Sequence, residues 1–237
     1  MNAPIIAPSL VFTDMFRMAV VHLIFNISVN VLDETAEAVM REVTANIDAD
    51  PAKLKYTVDI IYASAMEDRN WVFVAVKLLN YLCLLIPATL ADPNVLPDGN
   101  NKLRSGPRLV QHYIYNRSLA DFQADMQKAA WCQPRMWLLA ELADANSSPL
   151  LMSHKTNIWI LDMMVNAEHL YSNNNVDFFS EYVEFVARGL DENPPTEVEL
   201  TRVLEKVRER TVMTDQDLMS KIKVTGLIAL REKGWAM

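Results

Sequence analysis

Glu141 and Asp144 stand three positions apart, and Glu168 and His169 stand side by side; either spacing could set an acid and a base around a substrate if a cleft held them. A solvated helix face explains both pairs, and that is the reading taken. Cys132, next to Trp131, has the nucleophile's chemistry, but no base stands near it in sequence and apolar surroundings raise a thiol's pKa, so it is read as packing. A di-iron bundle needs Glu-x-x-His pairs projecting from one helix face, and none of His22, His112, His154 and His169 has Glu three residues before it. There is no His-Glu-x-x-His and no Cys-x-x-Cys, so no metal or other cofactor is expected. Gly-rich phosphate cradles and a Gly-x-Ser-x-Gly elbow are missing too, which disfavours an NTPase or a hydrolase. The expectation is a protein that is not an enzyme.

Other residue groups suit binding. Tyr113 and Tyr115, interleaved with Arg104, Arg108 and Arg117, could stack single-stranded RNA, although a half-buried long helix explains the same residues. Met126, Met136, Met152, Met163 and Met164 would make an adaptable surface if exposed and fill gaps between helices if buried; the second is expected. The net charge of −8 is uneven, at −6 over residues 1–100, −5 over 101–200 and +3 over 201–237. Tight binding to nucleic acid releases counterions through many clustered Lys and Arg. An acidic chain is therefore expected to make at most a weak RNA contact, and only the last stretch favours an anionic partner.

These residues need elements to hold them. Five glycines in 237 residues, with no alternating apolar pattern between Gly-rich turns, argue against a sheet and for an all-α fold. Periodicity and caps predict about ten helices, near 9–30, 33–48, 51–67, 70–91, 104–130, 134–145, 153–173, 177–191, 196–211 and 215–232. Asp50-Pro51 gives an N-cap followed by a proline at the first helical position, and Thr214 or Asp215 opens the last helix in the same manner. Breaks fall at Pro87–Asn101 and at Glu192–Glu197, where proline and polar clusters end a helix. The apolar run from Met18 to Leu32 is interrupted by His22, Asn26 and Asn30 and preceded by Asp14, so a buried helix is expected and no membrane span. Cys83 and Cys132 lie in apolar stretches without metal spacing, as buried free thiols in a reducing compartment would.

Short-turned helix pairs of about 40 residues match HEAT-type repeats, which stack into a curved array with a continuous core. The expected architecture is one HEAT-like α-solenoid of about five antiparallel pairs over residues 1–237, with 1–30 as an N-terminal extension helix.

The last helix adds a resemblance. Lys221 and Ile222, the aliphatics Val224, Leu227 and Ile228, and the ending Leu230-Arg231-x-x-x-Trp235 resemble the closing helix of the central-domain family of eukaryotic translation initiation factor 4 gamma. Gly226 and Ala229 stand where that family usually has acids. Residues 50–82, through Ile60, Ile61, Ala65, Asp68, Phe73, Lys77 and Leu82, resemble its early helix pair, and 115–127 loosely its long middle helix. Coverage is about residues 30–236. The resemblance implies a HEAT-type scaffold that holds a DEAD-box RNA helicase, a translation initiation factor or an mRNA-bound protein. Nearest in size are the small stand-alone members that bind the histone-mRNA stem-loop-binding protein. They close with a similar Arg-x-x-Gly-Trp and self-associate, so a homodimer is implied here, in the cytoplasm or also the nucleus. A cap-binding-protein motif is missing, since no Tyr has Leu five positions on.

The candidate partner-binding residues are Arg231, Glu232 and Lys233 on the closing helix and Lys206, Arg208 and Arg210 on the helix before it. Leu230 and Trp235 are expected to lock the end of the array, with Arg231 pairing an acid on a neighbouring helix. Two other classes stay open: an enzyme with convergent titratable residues in a pocket, and a helical protein that stacks in an oligomer with no role in translation.

Overall fold

The computed structural model describes residues 8–27, 33–47, 50–97, 103–143, 152–172, 174–213 and 218–235, and among these the chain is all-helical. The helices are α1 (Pro8–Phe25), α2 (Asp33–Ile47), α3 (Pro51–Glu67), α4 (Trp71–Leu85), α5 (Pro107–Asp125), α6 (Gln133–Ala143), α7 (His154–Asn166), α8 (Asn175–Asp191), α9 (Pro194–Met213) and α10 (Leu218–Glu232). The only extended pairing among the described residues is one antiparallel bridge, Ala91 with Ser105. No helix among them is long and apolar enough to cross a membrane.

Local chemistry sets the ends. The Asp50 carboxylate accepts from Ala52 N at 2.9 Å, so one of the orphan amides of α3 is satisfied while Pro51 occupies a position that needs no N–H. α4 stops earlier than the expected residue 91, because Ile86 precedes Pro87 and is forced into extended backbone (φ −68°, ψ 135°). α9 starts earlier than expected because Pro194 and Pro195 fit a first turn. The Thr214 or Asp215 cap lies outside the described residues.

The chain divides into two compact units, residues 1–117 and 118–237. In the first, α1 packs on α2 and α3, α2 on α3 and α4, and α3 on α4. Met40, Val43 and Ile47 of α2, Leu54, Val58 and Ile61 of α3, and Leu78, Leu79 and Leu82 of α4 are removed from water. Cys83 is buried in the same unit, and burial pushes its thiol up to about 12, so it is a small apolar filler at neutral pH.

The stretch between α4 and α5 folds back on the start of α5. Gly106 N donates to Leu90 O at 2.8 Å, and Tyr113 Oη donates to Asp92 Oδ2 at 2.7 Å. Gly106 sits at φ +52°, and a Cβ there would lie 2.8 Å from the Ala88 backbone. Gly106→Ala is therefore expected to destabilise by at least about 1–2 kcal/mol, the left-handed penalty before any clash, read by urea denaturation.

Next to this turn Arg104 donates to His112 Nδ1, which can accept only in the neutral ring. Burial, then the Arg104 charge, lowers the His112 pKa below its ordinary value, and only Asp92 opposes. The folded state thus binds fewer protons than the unfolded one near that value. The stabilisation is complete above the unfolded pKa of about 6.5 and is lost as pH falls toward the depressed folded value. Acidifying from about pH 7.5 to about 5.5 should lower the unfolding free energy, and His112→Gln should flatten that dependence.

In the second unit α6 packs on α8, α7 on α8 and α9, α8 on α9 and α10, and α9 on α10. Leu138 and Leu139, Ile160 and Leu161, Phe179 and Val183, Val203 and Val207 form its core, and the Phe122 and Trp159 rings meet edge-on at 5.9 Å. Two polar hubs fix the turns. Asp125, at the end of α5, is 1% exposed and accepts from Arg135 Nη1, from Lys128 Nζ at 2.9 Å and from Cys132 N at 3.4 Å. Asn175, fully buried, accepts from Trp131 N at 3.1 Å and donates to Ala129 O at 3.1 Å and His169 O at 2.7 Å. It pairs the α5–α6 turn with the α7–α8 turn.

Candidate functional site

The closing segment explains itself as a helix stop. Gly234 takes φ +67°, and the chain reverses so that Gly234 N donates to Arg231 O at 2.8 Å and Trp235 N to Leu230 O at 2.9 Å. These are the two bonds of a Schellman ending, with glycine at the left-handed position, an apolar residue after it, and Leu230 as its partner position inside the helix. Leu230 is half-buried and Trp235 is buried.

Trp235 is tied down from α8. Its indole Nε1 donates to Asp191 Oδ2 at 2.6 Å, and its carbonyl accepts from Arg188 Nη2 at 3.2 Å. Arg231 grips the same carboxylate in a two-point pair, Nε to Oδ2 at 3.1 Å and Nη2 to Oδ1 at 2.7 Å, and Nη2 reaches Glu197 O at 3.4 Å in the first turn of α9. The Asp191–Arg231 pair thus joins the end of α8, the start of α9 and the end of α10. Arg188 and Asp191 were not among the sequence candidates. An acid in the last turn of a helix opposes the helix dipole, and that was the available sign that Asp191 needs a cation.

The six expected partner-binding residues divide by burial. Arg231 is engaged with Asp191, and Arg210 with the end of α7, donating to Val165 O and to Ala167 O at 3.2 Å while its guanidinium lies 5.8 Å from the Tyr171 ring centre. These two act inside the fold. Lys206 is half-exposed and pairs with Asp162 at 3.3 Å, an exchangeable contact. Arg208, Glu232 and Lys233 are exposed. Lys206 also borders a polar groove of about 440 Å³ between α7 and α9, with Asp162, Arg202, Glu205 and Glu209. The surface open to a partner at this end is therefore charged and of mixed sign.

Among the groups considered for catalysis, Glu141 is buried, Asp144 lies outside the described residues, Glu168 is exposed and His169 half-buried. Cys132 is half-buried at the Asp125 hub. Among the described residues, no three His, Cys, Asp or Glu side chains gather as a metal would need. Met126, Met136, Met152 and Met164 are buried and Met163 half-buried, as gap fillers. Of the residues considered for RNA stacking, Tyr113 is buried and held by Asp92, Arg104 is engaged with His112, and Arg117 covers the Tyr62 ring at 5.6 Å. Exposed apolar side chains gather instead on the last helix, with Leu218, Met219 and Ile222 each more than half exposed. Compared with protein-family models and with curated proteins, the chain has no match in either.

Proposed function

We propose that the chain is a non-catalytic adaptor in mRNA translation or processing: a HEAT-like stack of helix pairs resembling the central domain of eukaryotic translation initiation factor 4 gamma. The observation that carries this reading is the closing motif. In Leu230-Arg231-x-x-x-Trp235 each named residue has a distinct mechanical task at the end of α10, with Arg231 and Trp235 both on Asp191. A pattern defined by such tasks is what a shared helix-stacking architecture would preserve. Further support comes from packing of helices on their successors and on the next but one, as in stacked pairs.

A scaffold of this kind acts by coupling. One face holds a DEAD-box RNA helicase or an initiation factor and another an mRNA-bound protein, which raises their effective concentration for each other. Holding two lobes of an ATPase in a favoured orientation shifts its population toward the productive state without chemistry by the scaffold. Arg208, Glu232 and Lys233 are the exposed residues assigned to partner contact, with Lys206 at their edge. A homodimer and a weak RNA contact are part of the same reading, as is a place in the cytoplasm or nucleus. Affinity purification of the tagged chain from its native cell, with ribonuclease treatment, should retain a DEAD-box helicase or initiation factor. Retention of neither, with the chain folded, overturns the proposal.

A further inference from the structure

Between α6 and α8 lies an apolar notch lined by Trp137, Phe178, Tyr182 and Phe185, with Glu181 on its wall. Trp137 and Phe185 meet edge-to-face, centres 5.5 Å apart at 78°, and Phe185 is 39% exposed although α8 has other faces on which to keep an aromatic ring dry. Phe178, Glu181 and Phe185 recur at the three- and four-residue spacing that puts them on one stripe. Among the described residues, Glu181 Oε2 is shut off from water and has no hydrogen-bond partner. A carboxylate oxygen in that condition is costly unless a donor or cation reaches it. Glu184 stands one turn from Glu181; burial first, and then the Glu181 charge, raises its pKa. Neither carboxylate is in an ion pair among the described residues.

We infer that this notch is a docking site for a partner-protein segment that presents an arginine beside an apolar side chain. The ring faces attract a guanidinium, which also stacks flat on them; its fork of N–H donors suits the exposed Glu184 carboxylate, and its charge offsets that of Glu181 one turn away. A phosphate backbone would meet two carboxylates and be repelled, so nucleic acid is the wrong class of occupant. The residues outside the described set contain one lysine, Lys102, and no arginine, so the guanidinium comes from elsewhere. This names a partner chemistry for the scaffold reading and rests on that reading only in making the occupant a protein; a helicase that fails to bind leaves the notch assignment standing.

The test is selection of a random-peptide phage library on the full 237-residue chain, followed by anisotropy titration of the synthetic peptides that enrich. Enriched peptides should share an arginine next to a large apolar residue. Phe185→Ser and Glu184→Lys should each weaken binding by about tenfold, with the fold checked by circular dichroism. A peptide in which glutamate replaces the arginine should bind Glu184→Lys better than the unaltered chain. No enrichment, enriched peptides without a basic residue, peptides indifferent to both substitutions, or competition by a single-stranded RNA oligonucleotide in place of peptide would overturn the inference.

Discussion

Asp125→Ala is expected to lower the unfolding free energy by about 3–5 kcal/mol, read by urea denaturation. Asp125 is 1% and Arg135 9% exposed, so removing the acid takes the closest carboxylate from a buried guanidinium, which also reaches Asp121 O at 3.1 Å and the Asp121 carboxylate at 3.8 Å. Lys128 and Cys132 N lose their acceptor in the same step. Because the penalty comes from leaving one partner, the double change Asp125→Leu with Arg135→Met should be less damaging than the sum of the single changes. Strict additivity would show that the two side chains do not act as a pair.

Trp235→Ala is expected to cost about 3–5 kcal/mol, because a buried indole is deleted. Asp191 Oδ2 also loses a donor at 2.6 Å. The bidentate Arg231 pair remains, so α10 should loosen at its end without unfolding outright. Asp191→Ala should be comparably severe, since Arg231 and Trp235 both lose their acceptor, and Gly234→Ala milder, a left-handed penalty of about 1–2 kcal/mol in open space. The check is thermal denaturation with partner binding measured alongside. An unchanged melting temperature with partner binding abolished would mean that Trp235 is a contact residue and not the lock on α10.

Much of the helical layout is legible in the sequence because it rests on local rules. Asp50-Pro51 announces the start of α3 with an N-cap and a proline at the first helical position. Other features depend on distant partners and escape a local reading. Ile86 ends α4 through the ring of the next residue, a rule that is readable but easily overridden by the apolar run up to Ile86. The division between the two compact units falls between Arg117 and Ser118, inside the continuous helix α5, where no proline or glycine marks it. At the candidate site, a run of basic residues on α9 and α10 looks like one surface. Arg210 and Arg231 nevertheless face inward, because carbonyls at the end of α7 and the Asp191 carboxylate lie within reach only once the helices have packed. The α6–α8 notch is invisible in sequence for the same reason: Trp137 and Phe185 are 48 positions apart, and each alone reads as core.

The adaptor reading is tested most directly by titrating the folded chain into a DEAD-box RNA helicase with RNA and ATP and measuring ATP hydrolysis. The account predicts saturable stimulation of the helicase, no hydrolysis by the chain alone, and weakened stimulation by Arg208→Glu with Lys233→Glu at an unchanged melting temperature. Absence of any effect on initiation-type DEAD-box helicases, with no complex detected, would contradict it.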